Sequence, residues 1–167
     1  MHLVDKPSRP RKPPIPMQST NHIYHESVMV AQAISGLAVR PGGSYVDCTL
    51  GDGGHSKAIL EASAPDGRLL ALDADPEAIE PATERLRSFG SRTVIVNANF
   101  ATVASRAHAH GFVPADGILF DLGLSSRQVD SEDRGFSFRR AAPIDMRFTP
   151  EGPSAANLVN ELPETEL

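Results

Sequence analysis

Hydrophobic residues from Val28 onward follow two alternating patterns, a helical spacing and short unbroken apolar runs. The helical spacing predicts helices over residues 28–37, 56–64, 76–89 and 101–110. The apolar runs predict strands over residues 45–50, 68–72, 93–96 and 117–120. Strands that alternate with helices of about ten residues are typical of right-handed βαβ crossovers. The sequence therefore predicts an α/β fold with a partial parallel sheet of about four strands.

The pattern ends after Leu122, where a segment rich in glycine, serine and arginine extends to Pro153. A loop of that length is usually functional or leads into another domain. Beyond it, a short helix is expected to begin at Ser154 or Asn157, and a further helix at Pro163.

Charge is distributed unevenly along the chain. Residues 1–21 carry an excess of three positive charges, and because the whole chain carries −5, the remainder carries −8. Five prolines within residues 1–21 prevent a helix and predict a disordered basic tail. Such a tail is either simply solvated or assists RNA binding electrostatically. The acidic remainder is not typical of a protein that binds nucleic acid by overall charge, so any RNA contact is expected to be local.

Composition also limits the compartment and the chemistry. No apolar run approaches the roughly eighteen residues needed to cross a bilayer, and the N-terminus has no apolar signal core. These features predict a cytoplasmic protein that does not contact a membrane. Cys48 is the only cysteine, which excludes an intrachain disulfide and a cysteine-based zinc site. Cys48 is expected to be a small buried strand residue, and no residue is assigned to a metal.

The first strand end has the composition of a ligand-binding turn. In an open α/β sheet, ligands bind beyond the carboxyl ends of the strands. Gly51, Gly53 and Gly54 follow the first strand, and they allow positive φ and close approach of the backbone to a ligand. Amides at the start of the next helix attract a carboxylate or a phosphate. A tight structural turn is the alternative, but three glycines between a strand and a helix favour a ligand site.

The second and third strand ends suit an adenosine. Asp73 lies about twenty residues beyond the glycine turn, where a carboxylate accepts hydrogen bonds from both ribose hydroxyls. Asp75 is more simply the N-cap of the helix that begins at Pro76. Phe100 follows the third strand and would flank an adenine face, although a core position is nearly as plausible for a phenylalanine.

Asp121 ends the fourth strand and precedes a turn of small and polar residues. A catalytic or substrate-orienting carboxylate is expected there, beside the crevice. Two cofactor classes fit these strand ends. A nicotinamide dehydrogenase requires G-x-G-x-x-G, and here Ser56 stands at the position of the last glycine. Asp52 would repel a diphosphate, whereas it attracts the sulfonium of S-adenosylmethionine.

Seven blocks of sequence carry a resemblance to a known family. They are residues 25–28 (HESV), 45–56 (YVDCTLGDGGHS), 72–76 (LDADP), 99–100 (NF), 116–126 (DGILFDLGLSS), 134–138 (RGFSF) and 143–147 (PIDMR). In this order and spacing the chain resembles, from about His22 to its C-terminus, the bacterial 16S ribosomal RNA cytosine-N4 methyltransferases, the RsmH or MraW family. Each block alone is weak, but the full set is highly specific.

The resemblance implies a Rossmann-like class I methyltransferase fold with S-adenosylmethionine as cofactor. It implies methylation of the N4 amine of a cytosine in the decoding region of 16S rRNA, and hence the small ribosomal subunit as partner. The implied cofactor contacts are Gly53, Gly54, His55, Asp73, Phe100, Asp121 and Gln128. Asp121 is also the candidate catalytic residue, with a backbone carbonyl in the turn after it as the alternative for stabilising charge on the amine. The Asp-Pro-Pro-Tyr motif of many amino-methyltransferases is absent, so the platform for the target base is expected at Phe136 or Phe138.

The family's chain continues beyond this sequence, through a helical insertion and further strands. The resemblance therefore implies that residues 22–122 form the N-terminal part of the Rossmann-like domain and that residues 123–167 begin a truncated helical insertion. The fourth strand would then keep an unpaired edge, which predicts that the chain either self-associates or is partly disordered after Leu122. A non-catalytic fragment that binds the cofactor or rRNA remains the alternative. Four arginines either hold RNA phosphates or pair with nearby acids such as Glu132 and Asp133. These arginines are Arg134, Arg139, Arg140 and Arg147.

Overall fold

The computed structural model describes residues 27–139 and 141–167. The strands are β1 (Ser44–Asp47), β2 (Arg68–Asp73), β3 (Thr93–Asn97) and β4 (Gly117–Leu119). The helices are α1 (Val30–Gly36), α2 (Gly54–Ala62), α3 (Pro76–Leu86), α4 (Val103–Ala109), α5 (Ser126–Asp130) and α6 (Ala155–Glu161). Short 3₁₀ helices span Arg87–Arg92, Phe100–Thr102 and Glu164–Glu166. The predicted tail at residues 1–21 lies outside the described residues.

The four strands form one parallel sheet in the order β3-β2-β1-β4. β1 lies between β2 and β4, with Tyr45 opposite Leu69 on one side and Gly117 on the other. Within the described residues, β4 is hydrogen-bonded to β1 alone and forms one edge of the sheet. The α/β fold and the parallel sheet predicted from the sequence are thus confirmed.

Two apolar clusters cover the two faces of the sheet, because successive strand residues point to opposite sides. Tyr45 and Leu69 pack on one face with side chains from α2 and α3, whereas Val46 and Leu70 pack on the other with Ala107 of α4. Cys48 is 2% exposed, as expected for a small core residue. Burial raises the pKa of its thiol to about 11, so the thiol stays protonated at neutral pH.

Several boundaries differ from the sequence-based expectations. β1 ends at Asp47, because the Asp47 carboxylate accepts a hydrogen bond from the Thr49 amide and turns the chain three residues before the predicted end. Helix α5 was not predicted, although Ser125 and Gln128 form a capping box at its start. A single 3₁₀ turn occupies the region after Pro163, where a helix was expected.

Candidate cofactor-binding site

The loop after β1 needs glycine for two different reasons. Gly51 and Gly53 adopt φ angles of +50° and +77°, which residues with a Cβ rarely adopt. Gly54 has no room for a side chain, because a Cβ there would lie 1.9 Å from Ser27 Oγ. The glycines predicted to form a ligand-binding turn therefore bring the backbone close to both the crevice and the segment before α1.

A buried carboxylate anchors this loop from below. Asp47 is fully buried, and its two oxygens accept hydrogen bonds from Ser56 Oγ at 2.7 Å and from the Thr49 amide at 3.0 Å. Burial raises the pKa of Asp47, while the bonds from Ser56 and Thr49 and the nearby His55 oppose the rise. Because Ser56 lies in the first turn of α2, Asp47 joins the end of β1 directly to the start of that helix.

Asp73 lies at the end of β2 beside the glycine loop. Its Oδ2 accepts a hydrogen bond from the Gly51 amide at 2.8 Å, and its Oδ1 accepts one from the Asp75 amide at 2.9 Å. Burial raises the pKa of this carboxyl, against the amide bonds, which lower it. A carboxylate oxygen can accept more than one hydrogen bond, so both oxygens of Asp73 keep the capacity to bind a ribose hydroxyl.

Two phenylalanines meet above the carboxyl ends of the strands. The Phe100 and Phe120 ring centroids lie 5.8 Å apart at an interplanar angle of 87°, an edge-to-face contact. Both rings are partly open, with Phe100 41% and Phe120 46% exposed. Sequence analysis selected Phe100 and missed Phe120, because Phe120 ends an apolar run that resembles any buried strand.

Asp121 contacts both the loop after β1 and the first turn of α2. Its amide donates a 2.8 Å hydrogen bond to Thr49 Oγ1, and its Oδ2 lies 3.5 Å from His55 Nδ1. His55 is buried, and its Nε2 lies 3.0 Å from the Val28 carbonyl oxygen, which can only accept a hydrogen bond. The structure thus brings together the candidate residues His55 and Asp121. The Asp121 side chain is 57% exposed and remains open to a ligand.

Gln128 lies beside Asp75 rather than open to the crevice. Its side-chain amide donates to Asp75 Oδ2 at 2.9 Å and accepts from the Ser125 amide at 3.0 Å. Gln128 is 5% exposed. Its contact with the cofactor stays a prediction. Asp75 caps α3 by accepting from the Glu77 amide, which confirms the expected N-cap.

In the described residues, two of the four arginines named from the sequence pair with acids. Arg134 pairs with Asp75 and lies 3.4 Å from Glu77, and Arg147 pairs with its neighbour Asp145 at 2.7 Å. Arg139 has no carboxylate oxygen within 4 Å among residues 27–139 and 141–167, whereas Arg140 lies outside the described residues.

The two candidate stacking residues differ in environment. Phe136 packs on Phe148 at a centroid distance of 5.4 Å and lies beneath the Arg134 guanidinium. Phe138 is 99% exposed, next to Arg139. The phenyl ring available to an external partner is therefore that of Phe138.

Taken as a set, these residues fit S-adenosylmethionine. The crevice combines a glycine loop, a carboxylate with free acceptor capacity at Asp73, an aromatic pair and a second carboxylate at Asp121. Acceptors and apolar rings suit an uncharged adenosine, and Asp121 suits a sulfonium cation. Nowhere in the described part of the chain do three potential metal-ligating side chains gather into a group.

Comparison with known proteins identifies the family. A sequence model of the MraW methylase family matches residues 22–167. The chain belongs to the MraW methylase family. Two relatives support the match, both described as ribosomal RNA small subunit methyltransferase H. The Dehalococcoides mccartyi (strain BAV1) protein is 56% identical over 144 residues, covering 86% of this chain and 41% of the relative. The Thermomicrobium roseum protein is 51% identical over 144 residues, covering 86% and 44%.

This MraW-family chain thus spans about two-fifths of the length of the curated relatives it matches. A solved structure of a candidate rRNA-methylase from Clostridium thermocellum is 21% identical, covers 58% of this chain and 53% of its own, and superposes with a TM-score of 0.50. That likeness supports the fold alone, which is a Rossmann-like α/β fold. None of the helices in the described residues has the length and apolar character to span a membrane.

Proposed function

We propose that this chain supplies the S-adenosylmethionine-binding part of an enzyme that methylates the N4 amine of a cytosine in 16S rRNA. The observation that carries the proposal is that Asp73 and Asp121 both contact the loop after β1, Asp73 through the Gly51 amide and Asp121 through the Thr49 hydroxyl. Family membership supports a methylase, and the names of the relatives support the small-subunit rRNA as substrate. We place the reaction in the cytoplasm.

The chain's own residues have distinct roles in this proposal. Gly53, Gly54 and the buried His55 form the floor beneath the methionine part, and Asp73 accepts the ribose hydroxyls. Phe100 flanks the adenine, with Phe120 at its edge. Gln128 borders the site through its bond to Asp75. When bound, the cofactor supplies a methyl group from its sulfonium.

Asp121 is the proposed catalytic residue. The exocyclic amine of cytosine is a weak nucleophile, because its lone pair is conjugated with the ring. A carboxylate beside that nitrogen would orient the N–H groups and stabilise the positive charge that develops as the new C–N bond forms and the C–S bond breaks. Holding the amine in line with the methyl group supplies much of the remaining acceleration. The target base must be unstacked from its RNA to reach the crevice.

The first test is cofactor binding by this chain. We expect calorimetry to detect S-adenosylmethionine binding that NAD does not compete with. Binding of NAD at the same site would contradict the proposal. The methylation test uses a chimera in which this chain is joined to the C-terminal remainder of the Dehalococcoides relative, supplied with small-subunit rRNA and labelled cofactor. We expect N4-methylcytosine from the chimera, and Asp121→Ala should reduce its formation far more than Leu124→Ala. Equal rates at saturating cofactor would remove Asp121 from the chemistry.

A non-catalytic binding fragment is the second candidate. It is favoured by one observation, that β4 is paired on one side only within the described residues. The two candidates differ in one result: a non-catalytic fragment binds the cofactor or rRNA, but its chimera yields no methylated cytosine.

A further inference from the structure

Asp75 has more partners than a helix cap needs. It is 3% exposed, and besides the Glu77 amide it accepts hydrogen bonds from Gln128 Nε2 and from Arg134 Nη1. Gln128 lies in α5 and Arg134 in the segment that follows, so both donors come from beyond β4. A buried carboxylate with charge-assisted bonds is costly to leave without its partners.

Arg134 connects this carboxylate to the rest of residues 131–148. Its Nη2 donates to the Arg147 carbonyl at 2.8 Å, while its own carbonyl accepts from the Met146 amide at 2.9 Å. One guanidinium therefore contacts the turn after β2 through Asp75 and the far part of the segment through Arg147. Its side chain is 15% exposed, so these bonds are shielded from water.

The junction also borders an open groove. It has a volume of about 220 Å³ and is lined by residues that include Asp75, Arg134, Asp145 and Phe148. Since the groove leaves this side of the junction open, the shielded bond from Arg134 to Asp75 is a contact that holds the segment of residues 131–139 and 141–148 against the turn after β2.

Asp75 is also joined to the proposed ribose acceptor. Its amide donates to Asp73 Oδ1 at 2.9 Å, so one turn carries the acceptor on one side and the anchor of the segment on the other. A ligand bound by Asp73 would restrict this turn, and a coupling between two sites acts equally in both directions.

We propose that Asp75 is a positioning residue that holds residues 131–139 and 141–148 against the cofactor-binding end of the sheet and makes the order of that segment depend on cofactor binding. The second part rests on the proposed function, because it requires S-adenosylmethionine to bind at Asp73. The consequence is that cofactor binding orders the segment that carries Phe138 and Arg139, the candidate RNA contacts.

The test compares wild type with Asp75→Asn. Asparagine keeps an oxygen to cap α3, but it loses the charge and the acceptor for Gln128 and Arg134. Hydrogen–deuterium exchange of peptides within residues 131–148 is measured with and without S-adenosylmethionine, and calorimetry gives the affinity. We expect exchange roughly tenfold faster in the variant without ligand. Cofactor should slow exchange in wild type, have little effect in the variant, and bind the variant more weakly.

Glu77→Gln is the matched control, since Glu77 faces the same guanidinium but is 61% exposed. Its exchange should equal that of wild type. Equal exchange in Asp75→Asn and wild type would overturn the positioning role. Wild-type binding without slower exchange would overturn the coupling alone, whereas no binding by wild type would instead contradict the proposed function. Should circular dichroism find Asp75→Asn unfolded, Arg134→Met removes the same bond from the other partner and must give the same result.

Discussion

The backbone amide of Asp121 donates a 2.8 Å hydrogen bond to the hydroxyl of Thr49, which lies in the loop after β1. Thr49 is itself fixed by Asp47, whose Oδ1 accepts from both the amide and the hydroxyl of Thr49. A fully buried carboxylate therefore sets the position of an exposed one at the end of the neighbouring strand. The proposed catalytic residue depends on this arrangement for its backbone position.

Thr49→Val tests that dependence, because valine matches the shape of threonine but cannot accept a hydrogen bond. We expect exchange of the Asp121 amide, followed by NMR, to accelerate about threefold to tenfold, the range expected from the net free energy of one hydrogen bond. The methylation rate of the chimera should fall by a similar factor. Thr49→Ser restores the hydroxyl and should restore both readings. An Asp121 amide that exchanges equally slowly in Thr49→Val would contradict this role for Thr49.

Asp73 makes cofactor binding dependent on pH. In the proposed site the ionised carboxylate would accept the ribose hydroxyls, so we expect protonation to weaken binding. Because burial raises the pKa of Asp73, the affinity for S-adenosylmethionine should be constant at neutral pH and begin to fall, as pH is lowered, earlier than an ordinary aspartate would allow. Asp73→Ala should cost about 1.5–3 kcal/mol at neutral pH, tenfold or more in affinity. Calorimetry across a pH series measures both effects.

Asp73→Asn is the control for the pH series, because it has no proton to gain and should bind weakly at every pH. Glu80→Gln removes an exposed acid from α3 and should reproduce the wild-type profile. A wild-type affinity that stays constant through the acidic range, or an Asp73→Ala affinity equal to that of wild type, would remove Asp73 from the cofactor site.

The elements and the strand-end residues could be predicted from the sequence because their signals are local. Asp75 illustrates the limit of such signals: its place before Pro76 predicts a cap, and the structure confirms one. Its bonds to Gln128 and Arg134 join residues 53 and 59 positions apart, and no short pattern encodes such a pair. Phe120 was missed for a related reason, since its contact with Phe100 depends on the α4 crossover that brings two strand ends together.

We expect Phe138 to contribute directly to RNA binding. Its ring is 99% exposed, so Phe138→Ala should leave the melting temperature unchanged. Stacking of a base on an aromatic ring contributes about 1–3 kcal/mol, so affinity for a labelled single-stranded RNA containing an unpaired cytosine should fall about fivefold to a hundredfold. Fluorescence anisotropy measures the affinity. Ile144→Ala, which removes another exposed apolar side chain from the same segment, should change it little. Identical affinities for Phe138→Ala and wild type would exclude stacking at this position.

The edge formed by β4 leads to a prediction about self-association. Ile118 in β4 and Phe120 just after it are 47% and 46% exposed, and the other side of β4 is unpaired in the described residues. Exposed apolar edges pair with one another, and an introduced lysine prevents this by leaving a charge to be desolvated. Light scattering should therefore detect concentration-dependent association of the wild-type chain that Ile118→Lys reduces. Val159→Lys places the same charge on α6, at a side chain that is 63% exposed, and should leave association unchanged. A wild-type chain that stays monomeric at every concentration would disprove the edge as an association site. If both lysine variants reduced association equally, the added net charge alone would explain the effect, and the edge would not.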